Sequence, residues 1–176
     1  MNSRGFALTE LITVVAIIGI ILAIVSLNFN SWQKKANIDA QTKELNSDFS
    51  DLRLRAIQTK RNHMAIVQPN LITFCSYTAE EPVTPANCTA NPPSPAQHGA
   101  YFTKSLKYAI TFSGDVGVNS RGFLVDFSPI ISGGTFNSKQ TIVVNPSGSG
   151  ASVDCLVLSA TRMNMGTYDG TKCVFK

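Results

Sequence analysis

The apolar and polar positions change their period twice along the chain. Over residues 11–27 the only polar side chains are Thr13 and Ser26. Counted from Phe6, this run predicts a helix of about 33 Å at roughly 1.5 Å per residue, enough to cross a bilayer core. Residues 31–61 contain neither proline nor glycine, and Ile38, Leu45, Phe49, Leu52 and Ala56 recur there at helical spacing. Asp39, Lys43, Asp51 and Arg55 lie between them. The second half of the helix is therefore amphipathic, with one stripe for a sheet and one face for solvent or a partner. Gly19 is its weak point, suited either to close helix–helix approach or to a hinge.

After Asn62 the pattern shortens to β-like runs. Residues 63–68 and 71–76 flank Pro69-Asn70, which reads as a hairpin turn. Residues 77–99 hold Pro82, Pro85, Pro92, Pro93 and Pro95 around Cys88, the composition of an exposed loop. Further strands are predicted at 107–112, 122–127, 140–144 and 153–160, separated by Gly- and Ser-rich turns, with 171–175 as a last edge strand. A helix followed by strands gives an α+β class, with a long N-terminal helix packed against antiparallel sheet. The expected segments are a leader over 1–5, an apolar half-helix over 6–28, an amphipathic half over 29–62 and a β domain over 63–176.

One polar group does not fit an ordinary anchor. Glu10 lies inside the apolar end, where a carboxylate costs about 2.5 kcal/mol or more unless it is paired. The next cation along the chain is Lys34, so the partner must come from another molecule. Met1 to Gly5 form a short polar leader with one charge, Arg4. A cut after Gly5 would free an amine on Phe6, four residues from Glu10 and on the same helix face. That amine could neutralise the Glu10 of a neighbouring subunit. A secretory signal would carry a shorter apolar core and a small-x-small site, which is absent here; a plain single-pass anchor is the competing reading.

Gly5-Phe6-Ala7-Leu8-Thr9-Glu10 before an apolar helix is similar to the processing motif of type IV pilins and type II secretion pseudopilins. The resemblance implies cleavage after Gly5 by a prepilin peptidase, N-methylation of Phe6 and an assembly role for Glu10. The same pentapeptide, Asn-Ser-Arg-Gly-Phe, recurs at 119–123 with no apolar run after it; context carries the signal.

At 176 residues the chain allows one ordinary domain besides the helix. The net charge of +4 is mildly basic and does not by itself indicate nucleic acid, for which a clustered patch is needed. Cys75, Cys88, Cys155 and Cys173 all follow the apolar segment, as disulfides made in an oxidising periplasm would. Of three possible pairings, proximity favours Cys75–Cys88 and Cys155–Cys173, each closing a loop worth about 3 kcal/mol. Zinc is the alternative, but the spacings are wrong and neither His63 nor His98 has a partner at ligand spacing.

The C-terminal part resembles, more weakly, the GspH/FimT-like family of minor pilins and pseudopilins. The resemblance rests on Phe112-Ser113-Gly114, Arg121-Gly122 and the late apolar run at 156–159. In that family such a strand often leads into Gly-Arg-x-Arg; here Ala160-Thr161-Arg162-Met163-Asn164 keeps one arginine. No catalytic frame, cofactor site or metal site is expected: Gly148-Ser149-Gly150 lacks the Lys that a phosphate loop needs. Two functions remain. One is a FimU-like minor pilin in the inner membrane, a single-pass protein with a periplasmic domain, partnered by prepilin peptidase and by other minor and major pilins or pseudopilins. The other is a DNA receptor using Lys104, Lys107, Arg121, Arg162 and Lys172, but these are scattered among acids. A mixed solvated surface is the preferred reading of them.

Overall fold

The computed structural model describes residues 8–77, 88, 99–112, 114–126, 139–144 and 150–175, without the side chains of 23–28, 99–101, 125 and 126. The leader, Gly5 and Phe6, most of the proline-rich loop, and the Gly- and Ser-rich turns at 132–134 and 147–149 lie outside them.

With no proline to break it, the first element is one helix, α1 (Leu8–Thr59), of 52 residues, about 78 Å long at 1.5 Å per residue. It runs without interruption through Gly19, where an added Cβ would meet nothing within 4 Å. Among the described residues, the close approach that Gly19 would permit is not made. The helix ends at Thr59, three residues before its expected limit, and Lys60 after it takes the left-handed φ of 54° that usually falls to glycine.

Ten strands follow: β1 (Asn62–Gln68), β2 (Leu71–Tyr77), β3 (Gly99–Ser105), β4 (Ile110–Phe112), β5 (Val116–Val118), β6 (Leu124–Asp126), β7 (Gln140–Val144), β8 (Cys155–Leu158), β9 (Met163–Tyr168) and β10 (Cys173–Phe175). They form two antiparallel sheets, ordered β3-β2-β1-β5-β6 and β10-β9-β8-β7-β4. Pro69-Asn70 makes the β1–β2 hairpin turn, with Gln68 opposite Leu71. The predicted 140–144 strand is β7. Those at 107–112, 122–127, 153–160 and 171–175 shrink to β4, β6, β8 and β10, because tertiary bonds and turns take their ends. Tyr108 is held by α1, Gly122 turns with a φ of 82°, and Asp169 organises the turn before Cys173. β3 and β5 were not expected: β3 is a mixed-polarity edge strand, and β5 has three residues; β9 falls where Met163 and Met165 suggest a core or edge strand.

The stripe on α1 is the spine of the core. Ile38, Leu45, Phe49, Leu52 and Ala56 are fully buried. They pack with Ala65, Val67, Ile72, Phe74, Val116 and Leu124 from the first sheet and Ile110, Ile142, Val144, Leu156 and Leu158 from the second. One helix face thus closes both sheets. β1 is buried at five successive residues because it is central and covered twice. Ala65 and Val67 join the main core; Met64 and Ile66 join Cys75, Tyr77 and Cys88 in a second, small core.

Three polar clamps fix α1 on this base. Gln41 donates to the Tyr108 carbonyl at 2.8 Å and accepts from the Tyr108 N–H at 3.0 Å. Asp39 accepts from Val153 N–H at 2.8 Å, and Arg53 donates to the Thr161 carbonyl at 2.9 Å. Two disulfides add covalent ties. Cys75 is bonded to Cys88 and Cys155 to Cys173, with Cα separations of 5.8 and 5.9 Å. Gly166 lies beside the second; a Cβ there would collide with the Val174 carbonyl and reach Cys173 Sγ at 3.0 Å. Glycine lets β9 and β10 close over the bond.

Candidate assembly helix and basic turns

The proximal part of α1 has a different surface from the part that packs. Every described side chain from Leu8 to Leu22 is exposed, and the large apolar ones run from 45% exposed at Val14 to 74% at Leu8. Because β-branched and leucine side chains occupy all sides of this stretch, no solvated face remains. A helix that is apolar all round belongs inside a bundle or a lipid phase, and a monomer rarely leaves so much apolar surface open. Among the described residues, no helix is long and apolar enough to cross a membrane. The expected span runs into 23–28, whose side chains lie outside the description.

Glu10 is in the first turn of α1, where the unpaired N–H groups and the helix dipole favour an anion. The next turn is tied back by Thr13 Oγ1 donating to the Glu10 carbonyl at 2.9 Å. Its carboxylate is presented at the tip of the exposed apolar rod. Gly5 and Phe6, expected to be cleaved between and methylated, lie outside the described residues.

Past the rod come Phe29 and Trp32, which the sequence reading passed over. Both are exposed, and their ring centroids are 6.2 Å apart. Their spacing of three places them on one face, the signal by which they could have been found.

The basic candidates separate. Lys104 is half-buried and paired with Glu44 at 2.8 Å and with Asp48, so it belongs to the fold. Burial raises the Asp48 carboxyl above its ordinary range, with the hydrogen bond from Lys104 opposing. Lys107 lies over the Tyr108 ring at 5.8 Å. Lys172 is exposed in the β9–β10 turn, where its N–H and that of Thr171 bond Asp169 and hold that carboxyl down at about 2. Arg121 and Arg162 lie on neighbouring turns. Asn119 Oδ1 accepts from Arg121 N–H and Phe123 N–H, both at 3.0 Å, which shapes the β5–β6 turn. Gly122 in that turn sits where a Cβ would be 2.6 Å from Ile57 Cδ1 and 3.5 Å from Arg53 Cγ. Leu124 N–H bonds the Ala160 carbonyl at 3.0 Å, and Arg53 caps Thr161. Arg53 thus links the two turns, and the sequence could not show it because the partner is 108 residues away.

Next to this end lies His63, buried and 3.0 Å from Thr59 Oγ1. Burial pushes its pKa down to about 4, with Arg55 and Arg61 adding to the effect. Among the described residues no three His, Cys, Asp or Glu side chains are grouped to hold a metal ion; His98 lies outside them.

A long N-terminal helix with a bare apolar start, packed at its far end on antiparallel sheet, is the α+β architecture of a pilin. The prokaryotic N-terminal methylation motif, the signal of type IV pilin-like and pseudopilin substrates of prepilin peptidase, matches residues 1–26. No curated protein and no solved structure matches the chain.

Proposed function

We propose that this chain is a minor pilin, a structural subunit that takes part in building a type IV pilus. The observation that carries the reading is the join between two parts. The methylation motif over 1–26 runs into a helix that is bare at its start and locked into a disulfide-tied β domain at its end. In this reading prepilin peptidase cuts after Gly5, Phe6 is methylated on its new amine, and Glu10 meets the Phe6 amine of a neighbouring subunit. The amine keeps its charge on methylation, so the pairing offsets the desolvation of the carboxylate. The two disulfides support a periplasmic domain on an inner-membrane helix. The chain has no catalytic role; its partners are other pilins, and membership of the GspH/FimT-like group is part of the proposal. A secretion pseudopilus is the sister assembly that the same features would serve.

Mass spectrometry of the N-terminal peptide from native cells tests this directly. The expected species begins at N-methylated Phe6; a mature chain that begins at Met1 or after Ser26 would remove the reading.

A second reading has one specific observation in its favour. Arg53 bonds the turn that carries Arg162 and lies against the turn that carries Arg121, a start towards the convergent cations that DNA phosphates require. Duplex binding that weakens with salt and is lost in Arg162→Ala would promote it over pure assembly.

A further inference from the structure

Resting on the proposed membrane residence, we propose that Phe29, Trp32, Lys34 and Lys35 form a collar that seats the unassembled subunit on an anionic lipid surface.

Between Glu10 and Lys34 the chain carries no charged side chain, and then two cations come together. Lys35 is three residues on from Trp32 and shares its face; Lys34, two residues on, lies on the opposite side. Cations therefore flank the rod on both sides, just beyond an exposed aromatic pair. Amphipathic rings settle at the level of lipid headgroups, and lysine stems reach past them to put the ammonium in water or against phosphate.

The distances agree with that placement. Ile38, the first fully buried residue among the described side chains of α1, is six residues past Trp32, about 9 Å along the helix axis. The headgroup layer of one leaflet is about 5–7 Å thick. With Trp32 at the acyl boundary, the globular domain begins where the headgroups end. The underside of the domain meets the collar at one identifiable place. Gly150, with a φ of 60°, sits where a Cβ would be 3.0 Å from Lys35 Cε and 3.2 Å from Lys35 Nζ. The backbone before β8 therefore rests on the end of Lys35, and the nearby Asp39 carboxylate is engaged by Val153 N–H. The collar and domain form one surface, apolar at Trp32 and basic beside it, which matches phosphatidylglycerol better than a neutral lipid.

The single tryptophan of the chain is its own reporter. The full chain is placed in phosphatidylcholine vesicles with or without phosphatidylglycerol, flotation is measured, and Trp32 emission is read with acrylamide and with lipids brominated near the start or the end of the acyl chain. The expected result is flotation, stronger quenching by the shallow bromines, and protection from acrylamide that grows with phosphatidylglycerol. The embedded–exposed equilibrium should shift about fivefold per lysine. Lys34→Gln, which leaves the Gly150 contact intact, should remove about half of that response on a logarithmic scale, and Lys34→Gln with Lys35→Gln all of it. Flotation with Trp32 open to acrylamide overturns the collar but not membrane residence. So does strongest quenching by the deep bromines, or protection that depends on protein concentration and not on lipid, which would mean that a second copy covers Trp32. Failure to float overturns both proposals.

Discussion

The two halves of α1 share one backbone and almost nothing else. From Leu8 to Leu22 every described side chain faces outward. From Ile38 to Ala56 five apolar side chains disappear into the seam between two sheets, and Asp39, Gln41 and Arg53 reach across to backbone atoms of the domain. The first half has helix propensity and, among the described residues, no tertiary partner; the second has both. Helices in proteins are held mainly by the packing of a face, so the distal half is part of a fold and the proximal half is a fold still awaiting its other members.

That contrast can be broken at the tip with the largest effect. Replacing Glu10 with leucine removes the carboxylate while improving the apolar character of the rod. Mature Glu10→Leu protein should still be cleaved after Gly5, yet fall to background in sheared pili. Wild-type levels of incorporation would show that the carboxylate does not register one subunit against the next.

Stability should respond in the opposite place. Phe49 is fully buried and meets Phe74 edge-on with centroids 6.1 Å apart. Phe49→Ala should cost about 3–5 kcal/mol in urea unfolding of the full chain in detergent. Ile17, more than half exposed, should change by less than about 0.5 kcal/mol on truncation to alanine. Comparable losses at both positions would mean that the rod packs back on its own domain.

The smallest effect is on pH. An unfolded His63 takes a proton near 6.5, and the buried one resists until about 4. Between those values the unfolded chain binds more protons, so the fold should lose stability as pH falls through the window and keep it above. The loss at the bottom is on the order of 2 kcal/mol. Unfolding midpoints at neutral pH and at the low end should converge in His63→Gln; an unchanged pH slope would place the sensitivity elsewhere.

Much of this was readable from residue order, for physical reasons that differ by region. The buried stripe shows because period 3.6 survives in Ile38, Leu45, Phe49, Leu52 and Ala56. The β1–β2 hairpin shows because proline and asparagine at 69–70 leave the chain few other options. Both disulfides follow from proximity, since their loops span 13 and 18 residues. What stayed hidden is long-range. Gln41 reads as a surface residue until Tyr108, 67 positions on, offers both its backbone groups. Lys104 reads as a free cation until Glu44 and Asp48 arrive from the helix. β3 was lost because Gly99, Thr103 and Lys104 dilute its alternation, which an edge strand can tolerate.

The spacing of the clamps also sets how the subunit carries load. A pull on a filament would enter each domain along α1, the only covalent link between rod and sheets. Asp39 and Arg53 are 14 residues apart, about 21 Å of helix, and each is bonded to the backbone of the domain, at Val153 and Thr161. Tension along α1 is therefore shared between clamps at the two ends of the seam and the apolar stripe between them. The Cys155–Cys173 bond secures the last strand in the same sense. Such a subunit should stay rigid under tension until the whole seam gives way together.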